Sequence, residues 1–429
     1  MKLRTSRPVP NTRVPDRTSR KVTATAVLLM LLCTTGARAE DLGTTNFSFS
    51  GFGTLGLAHS TEDQADFTNS PFTKPNGAGH TRNWSADTDS RVGLQVIANV
   101  TPQVSAVLQV IAQQRYDNTY TPAVEWANIK YTFSPDFNVR FGRIAMPTSL
   151  VGDYRYVGYS TPWVRPPVEL YGQIPISNND GADASYRLHI GEVASTFQVS
   201  YGSTEIKLPG ESSPAHLKNA VGIFNTTEYG PASFHVAYQD AKFTLDSVKP
   251  LFDAFRQFGP TGVAIADIYE VNNKRISLLS FGANYDPGDW FLMGEWSKGD
   301  FTSLFGTQVN WYVSSGYRIG SFTPYVIYSK SKKDGATSDP GLDLTLLPPF
   351  LVGSASALNA GLNSLLQTTA AQTISIGSRW DFKKNAALKV QFDHTKLDDN
   401  SSGNLINLQP GYQRGGTFNV LSVALDFVF

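Results

Sequence analysis

Sixteen segments of alternating polar and apolar residues, connections that are short and long by turns, and a closing segment ending on Phe429 predict an all-β fold. Its expected form is a sixteen-stranded antiparallel transmembrane β-barrel with short periplasmic turns and long extracellular loops.

The segments fall at about 45–58, 87–100, 103–114, 122–133, 136–146, 182–190, 194–202, 220–229, 232–242, 275–285, 289–297, 308–318, 321–331, 372–382, 386–397 and 417–429. An even number of such segments suits a closed bacterial barrel, in which every backbone group within hydrocarbon is paired. The short connections are Thr101-Pro102, Ser134-Pro135, Gly191-Glu192-Val193, Gly230-Pro231, Asp286-Pro287-Gly288, Gly320 and Lys383-Lys384-Asn385. The long ones are 59–86, 147–181, 203–219, 243–274, 298–307, 332–371 and 398–416. A soluble sandwich does not usually alternate so strictly. No repeat at a fixed period appears, which disfavours a propeller or solenoid.

The closing segment shows the two faces most clearly. Leu421, Val423, Leu425, Phe427 and Phe429 alternate with Ser422, Ala424, Asp426 and Val428. Ile374, Ile376, Trp380 and Phe382 alternate with Ser375, Gly377, Arg379 and Asp381, and Leu388, Val390 and Phe392 with Lys389, Gln391 and Asp393. Successive strand residues point to opposite faces. Three neighbouring segments thus gather Arg379, Asp381, Lys389, Asp393 and Asp426 on one surface, which fits a hydrated lumen. Trp126, Tyr131, Phe133, Trp290, Trp296, Trp311, Tyr317 and Trp380 fall near segment ends, where aromatic girdles are expected.

Residues 1–39 read as a cleavable secretory leader, and 40–429 as the barrel. The basic stretch to Lys21, the apolar run Val27 to Leu32 and the small-x-small end Ala37-Arg38-Ala39 are its three parts. The apolar run is too short to span a bilayer as a helix. Arg20-Lys21 is not a twin-arginine pair, so export in the unfolded state is expected. The single cysteine, Cys33, lies in this leader, so the mature chain has neither disulfide nor thiolate metal site. Eight of the 36 basic residues and one of the 36 acidic residues lie in 1–39, leaving 28 against 35 and a net charge of −7. No nucleic-acid partner is expected from such a balance. No apolar run of transmembrane-helix length follows the leader.

The leader, the sixteen segments and the terminal aromatic together resemble Gram-negative general diffusion porins. Phe47 to Ala58 is similar to the glycine- and aromatic-rich first strand of that family, and Val139 to Pro147 to the strand leading into its constriction loop. The resemblance implies an outer-membrane channel for passive diffusion of ions and small hydrophilic solutes. It also implies a homotrimer bathed by outer-membrane lipid, a terminal residue read by the barrel-assembly machinery, and loop 147–181 folded into the lumen. The loop departs from the family in lacking a compact acidic motif. It is dense in Tyr154, Tyr156, Tyr159, Trp163, Pro166, Pro167, Tyr171 and Pro175, with its acids Asp153 and Glu169 far apart.

A pore sorts solutes by width and by the charges at its narrowest part. By strand parity the inward bases are Arg91, Lys130, Arg140, Arg187, Arg379 and Lys389, facing Asp153 and Glu169 of the loop. Arg91 and Arg140 lead this set, because each stands near mid-strand on a polar face. Alternatively these are solvated lumen residues, paired locally. The loop aromatics could form a track for a sugar in a selective channel for sugars or organic acids, or could simply pack the loop to the wall. Helical spacing marks Val248 to Phe258, and Leu342 to Leu366 could cap the outer mouth. None of the six histidines lies two to four residues from another His or a Cys, and no Gly-x-Ser-x-Gly elbow occurs. Neither an enzyme nor a cofactor is expected.

Overall fold

The computed structural model describes residues 46–211, 213–301 and 303–429, so the leader lies outside the described residues. All sixteen expected segments are strands. In chain order they are β1 (Asn46–Ser60), β2 (Arg91–Asn99), β3 (Val104–Gln113), β4 (Ala123–Ser134), β5 (Phe137–Ala145), β6 (Asn178–Ile190), β7 (Val193–Ile206) and β8 (Ala215–Tyr229). There follow β9 (Ala232–Leu245), β10 (Lys274–Tyr285), β11 (Trp290–Phe301), β12 (Gly306–Tyr317), β13 (Phe322–Asp334), β14 (Ala371–Lys383), β15 (Ala386–Leu397) and β16 (Gly416–Val428).

Each strand pairs antiparallel with its sequence neighbours, and β1 pairs with both β2 and β16. This last pairing closes the barrel, so no strand leaves unpaired groups toward lipid. The seam ends on the chain terminus. Phe429 N–H donates to Gly51 O at 3.0 Å, and Gly51 N–H returns the bond to Phe429 O at 2.8 Å.

The two faces meet different solvents. Ile376 is 62% exposed on the outer face of β14 while Asp393 on the inner face of β15 is 5% exposed. In a water-soluble protein that relation would be reversed. Inward rows of Ser200, Ser280, Ser297, Ser314, Ser329, Ser375 and Ser422 are buried, hydroxyl after hydroxyl around the wall. Periplasmic turns carry the residues tight reversals require. Gly230 has φ of 52° and Asn385 of 65°, left-handed conformations that glycine and asparagine tolerate best.

On the extracellular side β7, β8 and β9 run 14, 15 and 14 residues, past their expected ends. Outward positions near those ends hold Glu205, Asp240 and Lys242 instead of apolar groups, and Asp240 pairs with Arg275 at 2.5 Å. These strand ends stand in water above the bilayer. The apolar alternation that marks a lipid face is therefore lost while the backbone ladder continues.

Among the described residues four α-helices lie in the loops: α1 (Val168–Tyr171), α2 (Lys249–Arg256), α3 (Gly259–Tyr269) and α4 (Pro349–Leu365). The spacing around Leu251, Phe252 and Phe255 and the Leu- and Ala-rich stretch anticipated α2 and α4. Segment α3 gives no such signal, because Gly259-Pro260 and Gly262 read as a loop; Pro260 is instead accommodated in the first turn. Phe252, Phe255, Ile265, Ala266 and Leu362 form one apolar cluster with Ile206 and Leu245 of the strand ends.

Deleting Phe429 removes both hydrogen bonds at the seam's end, at a net cost of about 1–3 kcal/mol. The truncated chain is expected to show a lower unfolding temperature than the full chain in a gel assay of heat-modifiable migration.

Candidate pore constriction

Residues 146–177, between β5 and β6, run along the inner wall from β9 round to β16 and β1. His235 Nε2 lies 3.0 Å from Pro147 O, and Ser280 Oγ donates to Thr148 O at 2.7 Å. Leu150 N–H donates to Glu295 Oε1 at 3.1 Å, Trp163 Nε1 to Ser314 Oγ at 2.8 Å, and Val164 N–H to Gln391 Oε1 at 3.2 Å. Every wall partner sits at an inward position, so the row of polar side chains that hydrates a lumen elsewhere here satisfies a backbone with little regular structure.

Two further kinds of contact fix the loop. Trp163 and Tyr171 are buried against Tyr312, with ring centroids 5.6 and 6.1 Å away. Those two rings serve packing and offer no face to a sugar. Charges do the rest. Arg165 is fully buried and donates from Nε and Nη2 to Asp89 at 3.0 and 2.6 Å, and from Nη1 to Asp393 at 2.9 Å. A planar guanidinium satisfies two carboxylates in this way, one of them bidentately.

Lys389 was expected among the pore-lining bases. It is wholly buried, donating to the carbonyls of Gly158, Thr161 and Trp163 at 2.6, 2.8 and 2.8 Å and pairing with Asp426 at 2.8 Å. The turn approaches so closely that a Cβ on Gly158 would fall 2.2 Å from Asp426 Oδ1. Arg379 likewise donates to Tyr159 O and Thr161 O at 2.6 and 3.0 Å, lies over the Tyr159 ring at 4.6 Å, and pairs with Asp381. Glu169 is buried too, accepting from Ser329 Oγ at 2.7 Å and from Thr373 Oγ1. Burial is the largest influence on its carboxyl and raises its pKa above the ordinary value. Lys389 and Arg379 face inward as parity requires and meet the loop, while Glu169 reaches from the loop to the wall. All three anchor the loop; Lys389 and Glu169 are buried, and Arg379 is partly exposed.

The other expected residues lie elsewhere. Arg187 pairs with Glu228 at 3.0 Å near the periplasmic rim, both well exposed. Arg140 is held by Asp183, with Nε 2.9 and 3.1 Å from its two oxygens. With Lys130, Trp126 and the loop's Asp153 it lines a lower chamber of 410 Å³. Trp126 therefore belongs to the lumen, not to a girdle. An upper chamber of 520 Å³ is lined by Arg115, Glu125, Arg143, Asp180, Lys207 and Tyr156 among others. Between loop and wall, Arg91, Gln113, Arg155, Tyr156 and Arg165 enclose a small space of 60 Å³.

The sequence reading gives the loop's charged role to Asp153 and Glu169 alone and passes over Arg155 and Arg165. Arg155 donates to Ile174 O at 2.8 Å and to Tyr156 Oη at 3.1 Å, and the guanidinium of Arg91 stands 5.8 Å from the same Tyr156 ring. Two arginines amid the aromatics and prolines of a long loop were the available signal.

Comparison with known proteins agrees with this geometry. A family described as Gram-negative porin matches residues 24–413. No curated protein matches the chain in sequence. Among solved structures, the outer-membrane channel DcaP of Acinetobacter baumannii is 13% identical with a TM-score of 0.54, over 90% of this chain and 97% of that one. An anion-selective porin from Comamonas acidovorans is 14% identical with a TM-score of 0.52, over 90% and 100%. OmpF of Salmonella typhi, solved with daunomycin, is 13% identical with a TM-score of 0.52, over 89% and 97%.

Breaking a buried ion pair by removing one partner costs roughly 3–5 kcal/mol. Lys389→Met is expected to lower the thermal midpoint of the purified barrel and to make residues 153–161 cleavable by added protease, read by mass spectrometry of the fragments.

The closed barrel, its polar interior and a family match spanning most of the sequence establish that the chain belongs to the Gram-negative porin family, as a diffusion channel of the outer membrane.

Proposed function

We propose that ions and small hydrophilic solutes pass between loop residues 153–156 and the facing wall of β2 to β6. The observation that carries this reading is that the loop segment borders both chambers, Tyr156 the upper and Asp153 the lower. The four acids that hold Arg140, Arg143 and Arg165 are already engaged, whereas Arg91 and Arg155 are bonded by backbone carbonyls and a phenol. Two cations without a carboxylate hydrogen bond among the described residues give the passage a positive field, and low-dielectric walls focus it. The channel accordingly prefers anions. We assign it no catalytic step, since His235 is engaged by Thr226 and Pro147 and His394 by Asn419.

The native assembly in this reading is a homotrimer of chains that begin at Glu40. Its support is the outer face of β2 to β5, where short strands present Leu94, Leu108, Ile129 and Phe141 rather than the tryptophans of β11, β12 and β14. Tryptophan belts mark contact with lipid, so this face, which carries Tyr131, Phe133 and Phe141 but no outward tryptophan, suits a neighbouring subunit. The outward Phe429 at the seam suits recognition by the barrel-assembly machinery.

In a planar bilayer under a salt gradient, purified protein is expected to give stepwise currents with an anion-leaning reversal potential. Arg91→Ala and Arg155→Ala should each move that potential toward the cation value. Absent steps would remove the channel reading, and an unmoved potential would remove these two residues from the passage. Native mass spectrometry of the membrane-extracted protein should give three times the mass of residues 40–429; a single-chain mass, or one retaining residues 1–39, opposes the assembly or the leader.

A further inference from the structure

The inner faces of β8 to β11 change character toward the extracellular side. Near the loop anchors they carry His235, Ser280, Glu295 and Ser297. Higher up, Leu217, Ala241, Phe243, Ile276, Leu278 and Phe301 point inward instead, and with Ile174 to Ile176 of the inner loop they enclose a recess of 260 Å³. No charged side chain projects into it from the strands. Asp240, at its border, turns by strand alternation to the outer face and pairs there with Arg275.

Four amide side chains, Gln173, Gln239, Gln308 and Asn310, interrupt the apolar lining, and Oε1 of Gln173 is buried without a hydrogen-bond partner among the described residues. Nε2 of Gln239 and Oδ1 of Asn310 are buried with no hydrogen-bond partner among the described residues, and Asn310 as a whole is 5% exposed. Ile176, Ile206 and Leu217 border both the recess and the polar upper chamber, so a solute in the aqueous route meets its mouth. Apolar clusters that only support loops close to crystal-like density. This one stays open around unpaired polar atoms. A mostly apolar concavity with a few convergent polar groups is the general form of a small-molecule site.

We propose that the recess binds a small neutral molecule with an apolar ring or short chain and one hydrogen-bonding group, of the class of an aromatic alcohol. A cavity of about 150 Å³ lined by aliphatic and aromatic side chains takes up benzene, so the space here holds one ring and a substituent. The hydroxyl accepts from Gln239 Nε2 or donates to Asn310 Oδ1. The uncharged lining disfavours the ions that the neighbouring passage carries. The inference rests on the diffusion reading for the delivery of the solute, but the binding itself is independent of conduction.

The test uses phenol, with glycerol as a polar control and toluene as a ring without a hydroxyl. Phenol added to the extracellular side should reduce single-channel current saturably, with a half-effect at about millimolar concentration. Labelled phenol should bind the trimer in lipid nanodiscs in the same range. Ala241→Phe fills the recess and should weaken both effects at least tenfold; Ala220→Leu does so more gently if the larger ring hinders folding. Gln239→Leu should weaken phenol about fivefold and leave toluene unweakened. Equal effects of glycerol and phenol, or phenol binding indifferent to both filling variants, overturn the proposal. Silent bilayers with variant-sensitive nanodisc binding support the recess and sink the diffusion reading. Conductance without saturable phenol binding sinks the recess alone.

Discussion

Within hydrocarbon a backbone amide has no water to turn to, and an unpaired one costs several kcal/mol. The whole architecture answers to that constraint. Sixteen strands satisfy one another sideways, and the pairing of β1 with β16 removes the two edges an open sheet would keep. Closure then creates an interior, and with it a second solvent. Strand alternation does the rest, sending Ile374, Ile376, Val390 and Phe392 to lipid and Ser375, Gln391 and Asp393 to the inside.

A barrel of this width would be an open hole unless something narrowed it. The loop after β5 does so, and its own backbone then faces the same accounting as the strands. It is met by inward side chains of the wall: Ser280, Glu295, Gln391 and Lys389 take loop carbonyls and amides as partners. Buried charge is costly unless paired. Here it is paired from both sides, with Arg165 of the loop reaching Asp89 and Asp393, and Lys389 of the wall reaching Asp426 and three loop carbonyls. The position of the loop is thereby over-determined, which a sieve of fixed width requires. In the proposed reading, Arg91 and Arg155 beside the loop tip act on solutes because Arg165 and Lys389 are taken up in anchoring.

The same interior is not uniform. Hydroxyls and charges dominate the side where the chambers lie, whereas the upper wall of β8 to β11 and the loop helices share apolar side chains. A polar chamber and an apolar recess lie side by side within one lumen.

The sequence alone determined the number of strands, their order, the direction each face turns, and the side on which the loops are long. Each follows from a period of two read against turn residues, a local property. It underestimated β7, β8 and β9 because their upper ends leave the bilayer, where Glu205, Lys218 and Thr244 replace the apolar half of the pattern. Parity also turned Lys389 and Arg379 the right way without saying what would cover them, and the loop acid Glu169 proved to be buried against the wall. Whether an inward group meets water or a loop depends on where residues 146–177 lie, and that is settled by contacts between residues more than 200 positions apart, such as Lys389 with Gly158. Only the tertiary structure decides this, because a charge becomes an anchor or a filter according to what is packed against it.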